Sequence, residues 1–312
     1  MAKMATREAY GKALAELIIE NPRVVVLDAD LSKSTKTADA KAVCPDRHVN
    51  VGIAEANMMG IAAGLATCGN IVYASSFAMF AAGRAYEQVR NSIGYTHLNV
   101  KICATHAGIT LGEDGASHQS IEDIALMRSI PGMMVIQPSD DIETMQVIKA
   151  ISELDGPCYV RLGRSAVETV NKEDYKLELG KGVVLREGKD ITLIATGMMV
   201  QEALKAATTL AEQGIEVNVI NIHTIKPLDE ALILDYAKQS KLVVTCEEHS
   251  KFGGLGSAVA ETLSKNHPTK MAMVAIEDTF GESGTPAALV VKYGLSAPSI
   301  VEKVLESIES TC

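Results

Sequence analysis

No stretch of this 312-residue sequence contains five or more consecutive basic residues. Its formal net charge is -10, from 29 Lys and Arg against 39 Asp and Glu. Nucleic-acid binding requires a clustered basic surface, so we expect no nucleic-acid partner. An acidic protein can still bind an anionic substrate if locally placed Arg, His or backbone N–H groups meet the anion.

The sequence also has no C-x-x-C pair among its six cysteines. Several of them stand inside apolar runs, for example Cys103 and Cys246. This placement indicates small core residues in a reducing compartment, and we therefore expect a cytoplasmic protein.

Charged residues are absent from the stretch 57–82. A membrane span is one interpretation of such a run, but Gly69 and Asn70 interrupt it. The pattern favours a buried helix, a turn and a strand, so we expect no membrane span. Glu16 and Glu20 interrupt the apolar pattern near the N-terminus, and no signal peptide is predicted.

Helix-like and strand-like segments alternate along most of the sequence, in which 47% of the residues are hydrophobic and 22% are charged. Continuous apolar strands, such as residues 24–27 and 71–74, are typical of parallel sheets covered by helices on both faces. The length favours two domains. We predict an α/β protein of two doubly wound domains, residues 1–165 and 189–312, joined by a polar linker at 166–188.

A single carboxylate, Glu55, opens an otherwise uncharged segment rich in small residues. Helix starts favour acidic side chains, so a capping or core-supporting role is one interpretation. A glutamate that enters an apolar region also requires a specific hydrogen-bond partner. Both interpretations stay open on the residues alone.

Phenylalanine is scarce, and two of the four stand three residues apart at Phe77 and Phe80, in a segment predicted as a helix from about Phe77. Packing on one helix face is the simplest interpretation of this spacing. A shared aromatic surface for a ligand is the alternative.

Two of the seven histidines, His106 and His118, lie in one glycine-rich loop together with Asp114. The loop follows a predicted strand, and open α/β sheets bind ligands at the carboxyl ends of their strands. A metal site and a purely structural loop are the alternatives.

These segments resemble the pyrimidine-binding domain of thiamine-diphosphate enzymes, a group that includes transketolases. The resemblance implies that Glu55 hydrogen-bonds N1′ of the aminopyrimidine ring and so activates the 4′-amino group as a base. It places Phe77 and Phe80 against that ring and Asp30 beside the cofactor. Transketolases often have a third aromatic residue where this chain has Gly83.

The same resemblance implies sites for a sugar phosphate. His106 would contact the phosphate, and Asp114 and His118 the sugar hydroxyls near the reacting carbons, with His118 also holding or moving protons. Further phosphate contacts would come from Arg161, Arg7 and Ser34. The family often has Asp where this chain has Ala107, which points to an altered sugar. Segments at 247–257 and 280–286 are similar to the C-terminal domain of transketolases, which serves mainly in assembly.

One domain of a full-length transketolase has no counterpart in this sequence. It binds the diphosphate through Mg²⁺, with a Gly-Asp-Gly start and an Asn farther along, and no such pair stands here. We therefore expect no metal ligands on this chain, and Mg²⁺ on a separate N-terminal subunit in an α2β2 assembly.

The leading hypothesis is the C-terminal subunit of a two-subunit transketolase, active only with its partner. The alternatives are the β-subunit of a 2-oxo-acid dehydrogenase and a non-catalytic scaffold of the same fold. The loop around Asp114 and His118, together with Arg161, favours a sugar phosphate over the dehydrogenase.

Overall fold

Strands and helices alternate through residues 3–309, the part of the chain that the computed structural model describes. The first half contains strands β1 (Lys3–Ala5), β2 (Val24–Asp28), β3 (His48–Asn50), β4 (Ile71–Phe77), β5 (Val100–Thr105), β6 (Met134–Ile136), β7 (Cys158–Arg161) and β8 (Ala166–Glu168). Its helices are α1 (Thr6–Glu20), α2 (Ser32–Thr35), α3 (Ala38–Val43), α4 (Glu55–Thr67), α5 (Tyr86–Gln88), α6 (Asp123–Arg128) and α7 (Asp141–Ser152).

The second half has a similar alternation. Its strands are β9 (Val183–Arg186), β10 (Ile191–Ala195), β11 (Val217–Asn221), β12 (Thr224–Lys226), β13 (Leu242–Ser250) and β14 (Met271–Ile276). Its helices are α8 (Met199–Glu212), α9 (Glu230–Ala237), α10 (Leu255–Asn266), α11 (Pro286–Lys292) and α12 (Ala297–Glu309).

A seven-stranded sheet, in the order β12, β6, β7, β5, β4, β2, β3, organises the first half. Every neighbouring pair is parallel except β12 with β6. Strands β4 and β5 are buried along their whole length because helices cover both faces. Met58 of α4 and Met127 of α6 belong to one core cluster, and Leu14 of α1 and Ile148 of α7 belong to another.

A five-stranded sheet, in the order β14, β13, β10, β11, β9, organises the second half. Helices α8 and α12 contribute Val200 and Ile300 to one core cluster, and α9 and α10 contribute Ile233 and Val259 to another. Helix α9 begins after Asp229, whose carboxylate accepts a hydrogen bond from the Leu232 N–H.

The two halves share one sheet, because β12 leaves the second half and pairs antiparallel with β6 at the edge of the first sheet. The predicted α/β fold is confirmed. The segment predicted as a linker contains β8 and β9, and β8 pairs with β1. The domain boundaries at 165 and 189 stay a prediction.

The uncharged stretch 57–82 is divided mainly between α4 and β4, as expected for a buried helix, turn and strand. None of the helices within residues 3–309 combines the length and the apolarity that a membrane crossing requires.

Two local details differ from the simple sequence pattern. Phe77 ends β4 instead of starting a helix, and π-helical turns at Met79–Arg84 and Val89–Gly94 flank the single turn of α5. Cys68 is exposed, whereas Cys103, Cys158 and Cys246 are buried free thiols. Cys312 lies outside the described residues.

Candidate active site

The side chains predicted to act together follow the carboxyl ends of neighbouring parallel strands. Helix α2, which contains Ser34, follows β2, while β4 ends at Phe77 and β5 ends directly before His106. Ligands of open α/β sheets bind at this edge, because the loops that follow the strands converge there. The fold therefore gathers segments that lie far apart in the sequence.

Glu55 is the first residue of α4, and only 2% of it is exposed. Its Oε2 accepts a hydrogen bond from Nη1 of Arg84 at 3.0 Å. The helix N-terminus and the guanidinium both stabilise a negative charge at this position. The partner is accessible, since 53% of the Arg84 side chain is exposed. A buried carboxylate thus faces a side chain that solvent or a ligand can reach.

Four rings and one guanidinium form a continuous surface beside Glu55. The Phe77 and His106 rings stack with centroids 3.8 Å apart, and the Phe77 and Phe80 centroids are 6.1 Å apart. The His118 ring meets Phe80 edge-on at 5.3 Å, and the Arg84 guanidinium lies 4.7 Å above the Phe80 ring centroid. The two phenylalanines thus contact polar residues of the site.

His106 is 3% exposed and has a left-handed backbone, with φ of 58°. Its Nε2 lies 3.1 Å from Nη1 of Arg7, and its Nδ1 lies 2.9 Å from Oγ1 of Thr105. Arginine only donates, so Nε2 accepts and the ring proton lies on Nδ1. Burial, together with the positive charges of Arg7 and Arg164, lowers the pKa of His106 to about 3. The ring is therefore neutral at neutral pH.

Arg7 and Arg164 form a positive rim next to the His106 ring. Arg7 also donates to the Ser34 carbonyl at 2.9 Å, and burial lowers its pKa, with Arg164 acting in the same direction and Glu8 against it. Arg164 donates to the Leu111 carbonyl and, at 2.8 Å, to Glu113, and its side chain is 37% exposed. Two guanidiniums with remaining donors suit an anionic group.

Arg161 does not belong to this rim, so its assignment to the substrate phosphate requires correction. Its side chain is 1% exposed, and Nε donates to Oδ2 of Asp123 at 2.8 Å. Its Nη2 donates to the carbonyls of Ser120 and Glu248. Burial alone would lower the pKa of Arg161, but the Asp123 and Glu248 carboxylates raise it. The guanidinium is enclosed because β7 is buried along its whole length.

Sequence comparisons match both halves of the chain to known domains. Residues 2–169 match the family description "Transketolase, pyrimidine binding domain", and residues 180–300 match "Transketolase, C-terminal domain".

The chain belongs to the transketolase family.

Two relatives at higher identity within this family are named as a section or a subunit. The chain is 51% identical over 306 residues to a putative transketolase C-terminal section of Methanocaldococcus jannaschii, covering 97% of this chain and 96% of that protein. It is 44% identical over 303 residues to the 6-deoxy-6-sulfo-D-fructose transketolase subunit SqwH of Clostridium sp. (strain MSTE9), covering 97% and 94%. Human transketolase is 36% identical, and the match covers 97% of this chain but 49% of that protein.

Among solved structures, one described as a split gene transketolase, inactive beta4 tetramer, shares 52% identity with this chain. The TM-score is 0.90, and 99% of both chains is covered. The resemblance to the C-terminal subunit of a split transketolase is thereby confirmed.

The remaining predicted site residues, Asp114, His118 and Asp30, lie in two loops. His118 and Asp114 share the 106–119 loop, where Asp114 is exposed and Nδ1 of His118 lies 3.0 Å from Oγ of Ser117. Asp30 is exposed after β2 with φ of 70°, and its N–H donates to Asn50. The structure joins the histidines to Phe77 and Phe80 but does not bring Asp30 into those contacts.

Sequence reasoning missed Arg84 and Arg164. Arg84 directly follows Gly83, and its pairing with Glu55 spans 29 positions, so no local pattern reveals it. Arg164 stands three residues after Arg161, beyond the end of β7. Its place in a loop after the strand was an available signal, because loop residues are accessible whereas central strand residues are buried.

The residues of this site fit the aminopyrimidine part of thiamine diphosphate, the cofactor of the transketolase family. The Arg84 guanidinium, a planar cation, already lies against the Phe80 ring and donates to Glu55. A planar nitrogen ring has matching requirements, namely an aromatic surface and a carboxylate acceptor. Within residues 3–309 no three His, Cys, Asp or Glu side chains are grouped to hold a metal ion.

Proposed function

We propose that this chain is the C-terminal subunit of a two-subunit transketolase that moves a two-carbon ketol unit between anionic sugars. The observation that supports this most is the buried Glu55 carboxylate next to an aromatic surface that continues into His106 and His118. One surface thus offers a cofactor side and a substrate side.

Thiamine diphosphate, when bound, supplies the carbon nucleophile for the ketose carbonyl. In this proposal Glu55 holds a proton at N1′ of the aminopyrimidine ring, and Phe77 and Phe80 exclude water from that bond. A carboxylate that is 2% exposed forms a stronger hydrogen bond than one in water, because the local dielectric constant is low. Arg84 has to move off the Phe80 ring when the pyrimidine binds.

On the substrate side, we assign the sugar hydroxyls to Asp114 and His118. The Arg7 and Arg164 guanidiniums would meet the anionic end of the sugar, and the neutral His106 ring would hold Arg7 in place there. With Arg7 as donor, His106 is an acceptor at Nε2, so the anion's charge is met mainly by the arginines.

The substrate class is an open-chain sugar with an anionic end. Two relatives, SqwH and an apulose-4-phosphate transketolase chain of Phocaeicola vulgatus, are named for a sulfo-sugar and a phospho-sugar. Both anions suit paired guanidiniums. Ala107 stands where transketolases often have Asp, so we propose a sugar other than the common pentose phosphates.

The diphosphate and Mg²⁺ would bind to a separate subunit with the remaining transketolase domain, in an α2β2 assembly. This chain has no Gly-Asp-Gly start with the distant Asn. The structure with 52% identity is described as an inactive tetramer of beta chains, which supports a partner requirement by similarity.

The test is to produce the chain with the product of an adjacent reading frame and assay the purified pair. Ketose phosphates and sulfo-sugars serve as donors, with an aldose acceptor, thiamine diphosphate and Mg²⁺. We expect transfer by the pair and none by either chain alone. Activity of this chain alone would refute the partner requirement, and turnover of a 2-oxo acid with a lipoyl acceptor would favour the dehydrogenase alternative.

A further inference from the structure

The loop that contains both site histidines, residues 106–119, is held by the second half of the chain. The N–H of Thr110 donates to Oε1 of Glu248 at 2.7 Å, and Glu248, on β13, is 3% exposed. Just beyond the loop, the N–H of Ser250 donates to the Ile121 carbonyl at 2.7 Å. Strand β13 therefore supports the loop at its start and directly after its end.

Gln119 makes the third connection, next to His118 in the sequence. Its Nε2 lies within hydrogen-bond distance of three carbonyl oxygens, Ile109 at 3.1 Å, Gly112 at 3.2 Å and Glu282 at 2.9 Å. Two of these belong to the loop and the third to the segment before α11. Gln119 is 3% exposed, so water does not compete for these bonds. One side chain thus fixes the shape of the loop and ties it to the second half.

The segment 279–286 packs closely against the Gln119 side chain. A Cβ atom added at Gly281 would lie 1.9 Å from Oε1 of Gln119, and one added at Gly115 would lie 2.5 Å from Oγ of Ser283. Gly115 has a positive φ of 77°, which glycine adopts without strain. Each half thus contributes one glycine that lies against a side chain of the other half. The loop and the segment are therefore complementary in shape.

We propose that the C-terminal domain positions the sugar-binding loop, with Gln119 as the positioning residue that fixes His118 and Asp114 relative to the substrate. This inference rests on the proposed function and gives the C-terminal domain a role beyond assembly. Gln119 does not touch the substrate in this proposal. It acts through the loop, because a small displacement of positioning groups costs far more in reaction rate than in folding.

The experiment uses the pair of subunits with two substitutions in this chain, Gln119→Met and Gly281→Ala. The first keeps the side-chain volume and removes the donor. The second adds a methyl group in the segment 279–286 that displaces the Gln119 side chain, and it leaves the loop sequence unaltered. Thr279→Ala, at an exposed position in the same segment, is the matched control. The measurements are KM and kcat for the sugar donor, thiamine diphosphate affinity, and hydrogen exchange of the amides of 107–118 and of β4.

Both variants should raise the sugar KM roughly tenfold while cofactor affinity stays within about twofold, because Glu55, Phe77 and Phe80 lie outside the displaced loop. Exchange of the 107–118 amides should accelerate, with β4 unchanged, which separates a positioning role from general destabilisation. Unchanged sugar KM and loop exchange in both variants would overturn the proposal. A wild-type pair without ketol transfer would overturn the proposed function. Hydrogen exchange of the loop amides would still test whether Gln119 holds the loop.

Discussion

At the scale of single residues, the site depends on side chains whose partners are distant in sequence. Glu55 pairs with Arg84, His106 with Arg7, and Thr110 with Glu248. Each pair places a polar group where solvent is largely excluded, so the loss of its partner would leave that group without a hydrogen bond. Three predictions belong to this scale.

Glu55→Gln should lower turnover by about 10²–10⁴-fold, because an amide cannot hold the N1′ proton as a carboxylate does. The measurement is kcat of the subunit pair, with circular dichroism to verify the fold. Glu87→Gln, at an exposed position, is the control and should retain activity. Near-wild-type turnover of Glu55→Gln would remove Glu55 from the mechanism.

Arg84→Met should lower the free energy of unfolding of the isolated chain by about 1 kcal/mol, because the buried Glu55 carboxylate loses its cation. The loss is limited because half of the Arg84 side chain is exposed. Urea unfolding measures the change, and Arg90→Met, at an exposed position where the guanidinium donates to the neighbouring Asn91, should have almost no effect. Equal effects of the two substitutions would contradict a stabilising ion pair.

His106 should make the chain less stable in acid. The pKa of its ring lies near 3 in the folded chain and near 6.5 when unfolded. Above pH 6.5 the ring is neutral in both states; as the pH falls from 6.5 towards 3, only the unfolded chain binds the proton. The free energy of unfolding therefore falls across that window.

His106→Asn should reduce this loss, measured as the difference in unfolding free energy between pH 6.5 and about pH 4. Asparagine tolerates the left-handed backbone at this position. His97→Asn is a matched control, because His97 also has a positive φ, 53°, but is exposed. If both variants retain the acid sensitivity of the wild type, the buried ring is not its source.

At the scale of elements, short irregular pieces decide which side chains meet. The π-helical turn Met79–Arg84 follows β4 after the single residue Ala78, and a π-turn shifts the register of a helix by accommodating an extra residue. This register places Arg84 over the Phe80 ring and towards Glu55. Regular periodicity does not reveal such a turn, which explains why the sequence predicts a simple helix from Phe77.

Strand β12 is the element that joins the two halves, and Lys226 at its end supports α6. The Lys226 ammonium donates to the carbonyls of Arg128 and Ile130 at 2.7 and 2.6 Å, near the end of that helix. Helix carbonyls at this end lack partners of their own, and a cation there is favourable.

Lys226→Met should therefore lower the free energy of unfolding by about 2 kcal/mol, since two carbonyls lose a charged donor. Chemical denaturation of the isolated chain measures this change. Lys238→Met, which removes only an exposed pair with Asp235, should stay within about 0.5 kcal/mol of the wild type. A larger effect at 238 than at 226 would refute the bridging role of β12.

At the scale of the whole molecule, buried polar contacts cross between the halves. Nδ2 of Asn221 donates to Glu143 at 2.9 Å, and the Arg161 guanidinium bonds both Asp123 and the Glu248 carbonyl. Separating the halves would leave these groups without partners. The pairing of β12 with β6 also connects the two halves.

The chain should consequently unfold in one cooperative transition, although its sequence matches two domains. Scanning calorimetry checks this by comparing the calorimetric and van't Hoff enthalpies, which agree for an all-or-none transition. Two resolved transitions would show that the contacts between the halves contribute little to stability.

The sequence by itself determined the α/β class, the buried helix, turn and strand at 57–82 and the family resemblance, and it predicts the roles of Glu55 and the 106–119 loop. The class and the buried segment follow from apolar periodicity, whereas the expected roles follow from the resemblance of short motifs to the family. The enclosure of Arg161, the pairing of Arg84 with Glu55, the position of Arg164 and the support of the loop by Glu248 and Gln119 were decided by tertiary structure alone. Burial and hydrogen bonding depend on which distant segments pack together, and no short segment of sequence specifies that.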